Sequence, residues 1–223
     1  MENRMIAKKI LVVSPHPDDD IICCTQLMKK ERSNIIVIYV TGGSNGSLDP
    51  KMRGEKLSKL RKDEAVSALT YLGIDKEKAI FLKFEDGTVS ASKKKVRDAL
   101  FKVIDSYEIS ELFYTSPYDV HPDHAAIGNI LRKSSLQNLK KYEYVVHVPK
   151  LIDKDIKNPK NLLKIIRYWF IYRIFYTKVE IPVKDQNSKL QALQFHRSQL
   201  AYMSESTLKI ARAPYETFYT KRD

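Results

Sequence analysis

The chain has 223 residues, 43% of them apolar and 30% charged, which is long enough for one substantial core and has the composition of a globular protein rather than a fibrous or low-complexity one. Its 39 Lys and Arg against 27 Asp and Glu leave a formal charge of +12, yet the basic residues are scattered, with runs no longer than Lys93-Lys94-Lys95 and no accompanying nucleic-acid motif; this points away from nucleic acid and leaves phosphorylated or lipid-linked substrates and an acidic membrane surface open. The two cysteines, Cys23 and Cys24, are adjacent and poorly placed to bridge each other, and residues 1–9 lack the apolar core of a signal peptide, so a reducing, cytoplasmic setting is expected.

Residues 9–13 form a short continuous apolar run, the pattern of a parallel strand covered on both faces. The run ends in Ser14-Pro15-His16-Pro17-Asp18-Asp19-Asp20. Pro17 suits the first position of a helix, having no amide hydrogen to lose. A helix starting there puts His16 and Asp19 on one face of its first turn, where both can reach one ion. Residues 19–31 read as that helix. Cys23 follows Asp19 by one turn, but a buried free cysteine ordinarily packs as a small apolar side chain and is not assigned as a ligand.

A second buried strand spans residues 34–40 and breaks at Thr41-Gly42-Gly43, where glycine permits tight turning and close approach to a ligand. A polar loop over 44–53 leads to a helix over 55–72, with Leu57, Leu60, Ala65, Ala68, Leu69 and Leu72 near helical spacing and Gly73 ending it. Residues 79–84 are a third strand, followed by Glu85-Asp86-Gly87. Residues 93–107 form an amphipathic helix, and residues 111–115 a fourth strand.

That strand runs into Tyr118-Asp119-Val120-His121-Pro122-Asp123-His124, so the two motifs hold three of the chain's five histidines. His124 completes a His/His/Asp donor set with His16 and Asp19, leaving a position open for water; this is the pattern of a catalytic zinc, although the same donors hold non-haem iron(II). Asp18 and His121 remain beside such an ion. A carboxylate there can take a proton from the attacking water, and an imidazole can stabilise developing charge or protonate a leaving amine. One such motif would read as an ordinary acidic helix start. Two, each at a strand end, favour a site.

Helix over 125–131 and strand over 143–148 follow, with His147 read as a core or edge residue. Residues 162–176, aromatic and basic, are too short and too charged to span a bilayer; a strand pair or capping helix over the site, or a membrane-surface helix, is expected. A last strand over 180–183 and a helix over 189–202 close the chain, and His196 is left between reaching the site and packing beside it. Strands alternating with helices give an α/β sandwich with a mostly parallel sheet, whose ligand crevice lies beyond the carboxyl ends of the strands, where both motifs, the glycine break and Asp86 all fall.

At these residues the chain resembles the PIG-L/LmbE-like N-deacetylases, a group including N-acetylglucosaminyl-phosphatidylinositol de-N-acetylase and the deacetylases of mycothiol and bacillithiol synthesis. His16 to Asp20 is similar to the family's HPDD(E) motif, and His121 to His124 to its HPDH motif. Arg61, Glu64, Ala65, Leu72 and Gly73 are similar to R-x-x-E-A…L-G, and Phe84 to Gly87 to F-x-D-G. Lys189, Ala192, Leu193, His196, Ser198 and Gln199 are similar to K-x-x-A-L…H-x-S-Q, and Glu216 with Phe218 to the terminal E-x-F. Asp20 departs from the usual Glu, and Asp119-Val120 replaces a tyrosine that some sugar deacetylases carry.

The resemblance implies a three-layer Rossmann-like sandwich forming a single domain over residues 1–223, with a variable or capping region near 150–178. It implies His16, Asp19 and His124 as ligands of Zn2+, with Fe2+ as the alternative. Asp18 would be the general base and His121 the transition-state stabiliser or acid, oriented by Asp123. Arg61 and Asp86 would contact substrate, although Arg61 can equally be a solvent-facing partner of Glu64 and Asp86 part of a plain turn. The activity implied is removal of the N-acetyl group from an acetamido sugar, nucleotide- or lipid-linked or free. A metal phosphoesterase and a binding protein with an inert site are the rivals, and oligomeric state is not legible.

Overall fold

The computed structural model describes residues 8–134, 136, 139–147 and 159–222. Its strands are β1 (Ile10–Ser14), β2 (Ile35–Thr41), β3 (Ala79–Phe84), β4 (Glu111–Thr115), β5 (Lys140–Tyr144), β6 (Tyr176–Pro182) and β7 (Tyr215–Lys221). They form one sheet in the order β3-β2-β1-β4-β5-β7-β6, in which β1 to β5 run parallel and β7 is antiparallel to both β5 and β6. The helices are α1 (Asp19–Lys30), α2 (Glu55–Tyr71), α3 (Lys93–Ser106), α4 (Pro122–Arg132), α5 (Pro159–Phe175), α6 (Gln186–Gln194), α7 (Arg197–Leu200) and α8 (Glu205–Ala211). The α/β sandwich expected from the alternation is the fold formed.

The unbroken apolar runs follow from burial on both faces. Ile10 and Val12 of β1, with Val37 and Tyr39 of β2, pack under α1, α2 and α6, while Leu11, Val13, Ile36 and Ile38 pack under α3 and α4. In α3, Val96, Leu100 and Ile104 recur every four residues and are its buried side.

Sheet order decides where a ligand can sit. The chain passes outward from β1 through β2 to β3, then crosses back to place β4 on the other side of β1. Strand order therefore reverses between β1 and β4, and the crevice beyond their carboxyl ends is the switch point at which such sheets bind ligands. The first motif leaves β1 there and the second leaves β4, which is why side chains 108 residues apart meet.

Several elements differ from the sequence reading. The strand expected over 143–148 is β5, ending at Tyr144, and Val148 lies outside the described residues. The chain leaves the ladder because the Asp119 carboxylate accepts the amides of Val146 and His147, at 2.9 and 3.0 Å. Of residues 162–176, all but the last belong to a helix, α5, rather than a strand pair, and Tyr176 opens β6. The helix expected over 189–202 is interrupted between α6 and α7, where His196 takes φ −82° and ψ 51°. Tyr215 to Phe218 opens β7, a strand with no signal beyond short alternation.

Candidate active site

The first motif is a turn held from within. Ser14 Oγ donates to His16 O at 2.7 Å and accepts the Asp20 amide at 3.2 Å, and the His16 amide donates to Asp19 Oδ2 at 2.9 Å. Because α1 begins at Asp19, His16 reaches it across this turn and not along the face of a first helical turn, as the spacing suggested. Asp20 points away from the crevice and accepts Tyr39 Oη at 2.7 Å; burial pushes its pKa up to about 7. Cys23 is buried, and burial raises its thiol pKa well above the ordinary value.

Asp18 does not behave as a helix cap. Its side chain makes no capping bond, and its φ of +140° lies where L-residues are strained by about 1–3 kcal/mol. Arg61 of α2 holds it there: Nη2 donates to Pro17 O at 2.9 Å and to Asp18 Oδ1 at 3.1 Å, and Nη1 donates to Gly43 O at 3.1 Å. Arg61 is buried rather than solvent-facing, and Glu64 binds Ser198 instead. A Cβ on Gly43 would meet Arg61 Nη1 at 2.2 Å, so the glycine break admits this guanidinium.

The second motif is tied by Asp119, whose carboxylate also accepts the His121 amide at 2.9 Å. His121 caps α4: its Nδ1 accepts the Asp123 amide at 3.3 Å, which leaves the proton on Nε2. Gly128 lets α4 lie against the exit of β4, since a Cβ there would meet Pro117 N at 2.4 Å. The Asp123 carboxylate accepts the amides of Gly87 and Val89, at 2.7 and 3.2 Å, and lies 3.6 Å from His16 Nε2. Residue 123 thus orients His121 through its amide, while the carboxylate that the resemblance assigned to that task serves the 87–89 loop and His16.

The motifs meet at three atoms. His16 Nδ1 and His124 Nε2 are 3.0 Å apart, and Asp19 Oδ2 lies 3.4 Å from the first and 3.2 Å from the second. Bonds of about 2.0–2.1 Å at tetrahedral angles put ligand atoms about 3.3 Å apart, so the spacing fits one small divalent cation. The outer ring nitrogens face carboxylates: His16 Nε2 lies 3.0 Å from Asp86 Oδ1, and His124 Nδ1 lies 3.4 Å from Asp119 Oδ2, a contact too poorly aligned for a hydrogen bond but close enough for charge attraction. With the ring protons drawn outward, two nitrogen lone pairs and a carboxylate oxygen converge, an arrangement that calls for positive charge between them.

The electrostatics of the site make the same demand. Burial opposes charge on His16 and His124, but the carboxylates around them outweigh it, raising His16 well above the ordinary value and His124 to about 9. A cation in their midst answers those carboxylates in place of protons. Burial raises Asp18 to about 6 against the pull of Arg61, and burial together with the His124 and His16 charges lowers His121 to about 4.

His16, Asp18, Asp19 and His121 border a cavity of about 410 Å3, a size suited to a small ligand, with His124 fully buried behind them. Asp86 and Arg61 both border the cavity: Asp86 Oδ2 accepts the Asn45 amide at 2.8 Å, and the two Nη atoms of Arg61 are engaged by protein while its buried Nε has no hydrogen-bond partner. His147, read from sequence as a core or edge residue, lines the cavity with its ring 5.1 Å from that of His124, and Asp19, His124 and His147 offer donor atoms within 4.8 Å of one another. Its signal was position just past the end of β5, on the crevice side. Asn45 and Tyr202 also line the cavity and carried no local motif, whereas Gln199, which lines it too, closes the K-x-x-A-L…H-x-S-Q segment.

Two expected results follow from this geometry. Removing the Arg61 charge that pulls the Asp18 pKa down, as in Arg61→Met, should move the acid limb of the rate profile to higher pH and lower kcat; an unmoved limb would count against the Arg61–Asp18 pairing. His196 is fully buried outside the cavity lining with neither ring nitrogen bonded, and burial, then Arg61, drops its pKa to about 3. The unfolded chain binds that proton near pH 6.5, so this residue's contribution to stability falls as pH drops from 6.5 toward 3, by about 2 kcal/mol at pH 5. Urea unfolding of His196→Leu between pH 7 and pH 5 should be correspondingly less acid-sensitive than the parent, and equal slopes would contradict it.

Among solved structures, the chain is similar to N,N'-diacetylchitobiose deacetylase from Pyrococcus horikoshii, with 23% identity, a TM-score of 0.65, and 91% of this chain and 73% of that one covered. It is similar to the zinc-inhibited form of teicoplanin deacetylase Orf2, with 15% identity, a TM-score of 0.67, and 97% and 99% covered. It is also similar to the 4-carboxy-2-hydroxymuconate hydratase GalB from Pseudomonas putida KT2440, with 16% identity, a TM-score of 0.56, and 96% and 95% covered. At these identities the likeness is one of fold, and the hydratase shows that the fold alone does not set the reaction. No curated protein matches the chain in sequence. The family model described as PIG-L, GlcNAc-PI de-N-acetylase, matches residues 11–135, a span of more than half the chain that contains both motifs, and the chain therefore belongs to the PIG-L family.

Proposed function

We propose that this protein is a metal-dependent hydrolase that removes the N-acetyl group from an acetamido sugar, with His16, Asp19 and His124 as metal ligands and Asp18 as general base. The observation that carries the reading is the convergence of two imidazole nitrogens and one carboxylate oxygen, 3.0–3.4 Å apart, beside a buried carboxylate that is not among them. A divalent cation bound there supplies a Lewis acid that polarises the acetamide carbonyl and makes water a better nucleophile.

The protein's groups do the rest. Asp18, fixed by Arg61, accepts the proton of the attacking water, and a pKa near 6 suits it to return that proton to the departing amine. His121, neutral near pH 7, presents its Nε2–H to the oxygen that gains charge as the carbonyl becomes tetrahedral. Asp86 and Asp123 hold His16 from behind, and Asp119 faces His124; these carboxylates keep the ligand nitrogens basic and aimed inward. Asp86 and Arg61 act first as positioning groups, and their edges along the cavity are where sugar hydroxyls would pass.

Zn2+ is the assigned ion, with Fe2+ as the alternative that this donor set equally admits. Because a relative has a zinc-inhibited form, the apo protein should be titrated with each metal rather than given one in excess. The test of the reading is acetate release across free, nucleotide-linked and lipid-linked N-acetyl sugars. Metal-dependent release from any of them supports it, whereas phosphate release from phosphorylated sugars without acetate release would replace it with the phosphoesterase reading.

A further inference from the structure

Helix α5 has two apolar sides. Ile165, Tyr168 and Tyr172 are buried on its inner side, where the two tyrosines pack with Val145, Tyr176 and Tyr219. On the opposite side Leu163, Ile166, Phe170 and Ile174 recur at spacings of three and four, forming one stripe, with Trp169 beside it and Phe175 exposed at the C-terminal end of the helix. These six side chains are between 42% and 60% exposed. Single exposed apolar residues are ordinary, but a continuous aromatic and aliphatic stripe on one helix marks a surface that meets something.

Charge selects the partner. Helix α5 carries Lys160, Lys164, Arg167 and Arg173 and no acidic residue. Arg167 and Arg173 are exposed on the two flanks of the stripe, and Arg222 donates to the carbonyls of Ile174 and Arg173 at its C-terminal end. A second copy docked through this face would set these arginines against their own counterparts, in a chain whose net charge is +12. An anionic lipid surface instead accepts the stripe among its acyl chains and the flanking guanidinium groups at its headgroups. Among the described residues no helix is long and apolar enough to cross a membrane, so α5 would lie on the surface and not span it.

We propose that the outer face of α5 docks this protein onto an anionic phospholipid surface through Leu163, Ile166, Trp169, Phe170 and Ile174, flanked by Arg167 and Arg173. The helix is joined to the site: Tyr172 Oη lies 2.6 Å from Ser116 Oγ, and Tyr118 packs edge-on against the Tyr172 ring at 5.9 Å, on the loop that leads to Asp119 and His121. Docking therefore puts α5 itself between the lipid surface and the second motif.

The chain's single tryptophan is Trp169, so its own fluorescence reports the contact. With the full-length protein, vesicles of phosphatidylcholine containing phosphatidylglycerol should shift the emission to the blue, brominated acyl chains should quench it, and added salt should reverse both changes. Phe170→Ser and Ile166→Ser should lose co-sedimentation with those vesicles while keeping the far-UV circular dichroism and acetate release of the parent. An unchanged spectrum with the anionic vesicles would overturn the proposal, as would an equal response to pure phosphatidylcholine. Emission already blue and shielded from iodide in buffer, with the mass of a dimer, would overturn it in favour of a second copy.

Discussion

Asp18→Asn should lower kcat by about 10²–10⁴-fold, the range for a lost general base, while leaving metal content unchanged. The side chain pairs with Arg61 and is not one of the three converging donors, so its loss removes a proton acceptor without removing a ligand. Asparagine can still accept from Arg61, which keeps the turn in place. Asp18→Gly should be equally inactive yet more stable than Asp18→Ala, because both leave the buried Arg61 guanidinium without its carboxylate and only glycine adopts the φ of +140° without strain. Urea unfolding together with acetate release checks these variants. An active Asp18→Asn would remove Asp18 from the mechanism, and an Asp18→Gly no more stable than Asp18→Ala would contradict the strain.

His124→Ala and His16→Ala should instead lose the metal and, with it, measurable turnover. Each removes one of three donors and leaves the surrounding carboxylates facing a gap: Asp19 and Asp119 in the first case, Asp19, Asp86 and Asp123 in the second. Uncompensated buried carboxylates disfavour the folded state, so both variants should also unfold at lower denaturant than the metal-loaded parent. Metal content after gel filtration and the urea midpoint are the readouts. The contrast matters more than either result, since loss of rate with metal retained at Asp18 and loss of both at His124 separates the base from the ligands.

Much of this arrangement was legible in the sequence because it is local. The β1 run of Ile10 to Val13 is unbroken, the α2 period is regular, and each motif packs its polar residues into a few positions after a strand. Alternation of strands and helices placed both motifs on one edge of the sheet, and the switch point between β1 and β4 completed the inference.

What escaped depends on contacts distant in sequence. Asp86 reads as a sugar contact or a plain turn until His16, 70 residues away, is seen donating to it. Arg61 reads as a surface pair or a ligand contact until Gly43 and Pro17 are found to cradle its guanidinium. His147 sits past β5 only because Asp119 captures two amides there, an interaction no periodicity encodes. Residues 162–176 read as a strand pair, a capping helix or a membrane-surface helix because aromatic and basic residues intermingle there without showing which side packs; in α5 only the inner side is buried.

The central claim is that His16, Asp19 and His124 share one divalent cation. The most direct measurement is the metal content of protein purified without added metal, beside that of His124→Ala prepared identically. The account predicts close to one divalent ion per chain in the parent and essentially none in the variant. Equal content in the two, whatever its value, would contradict it.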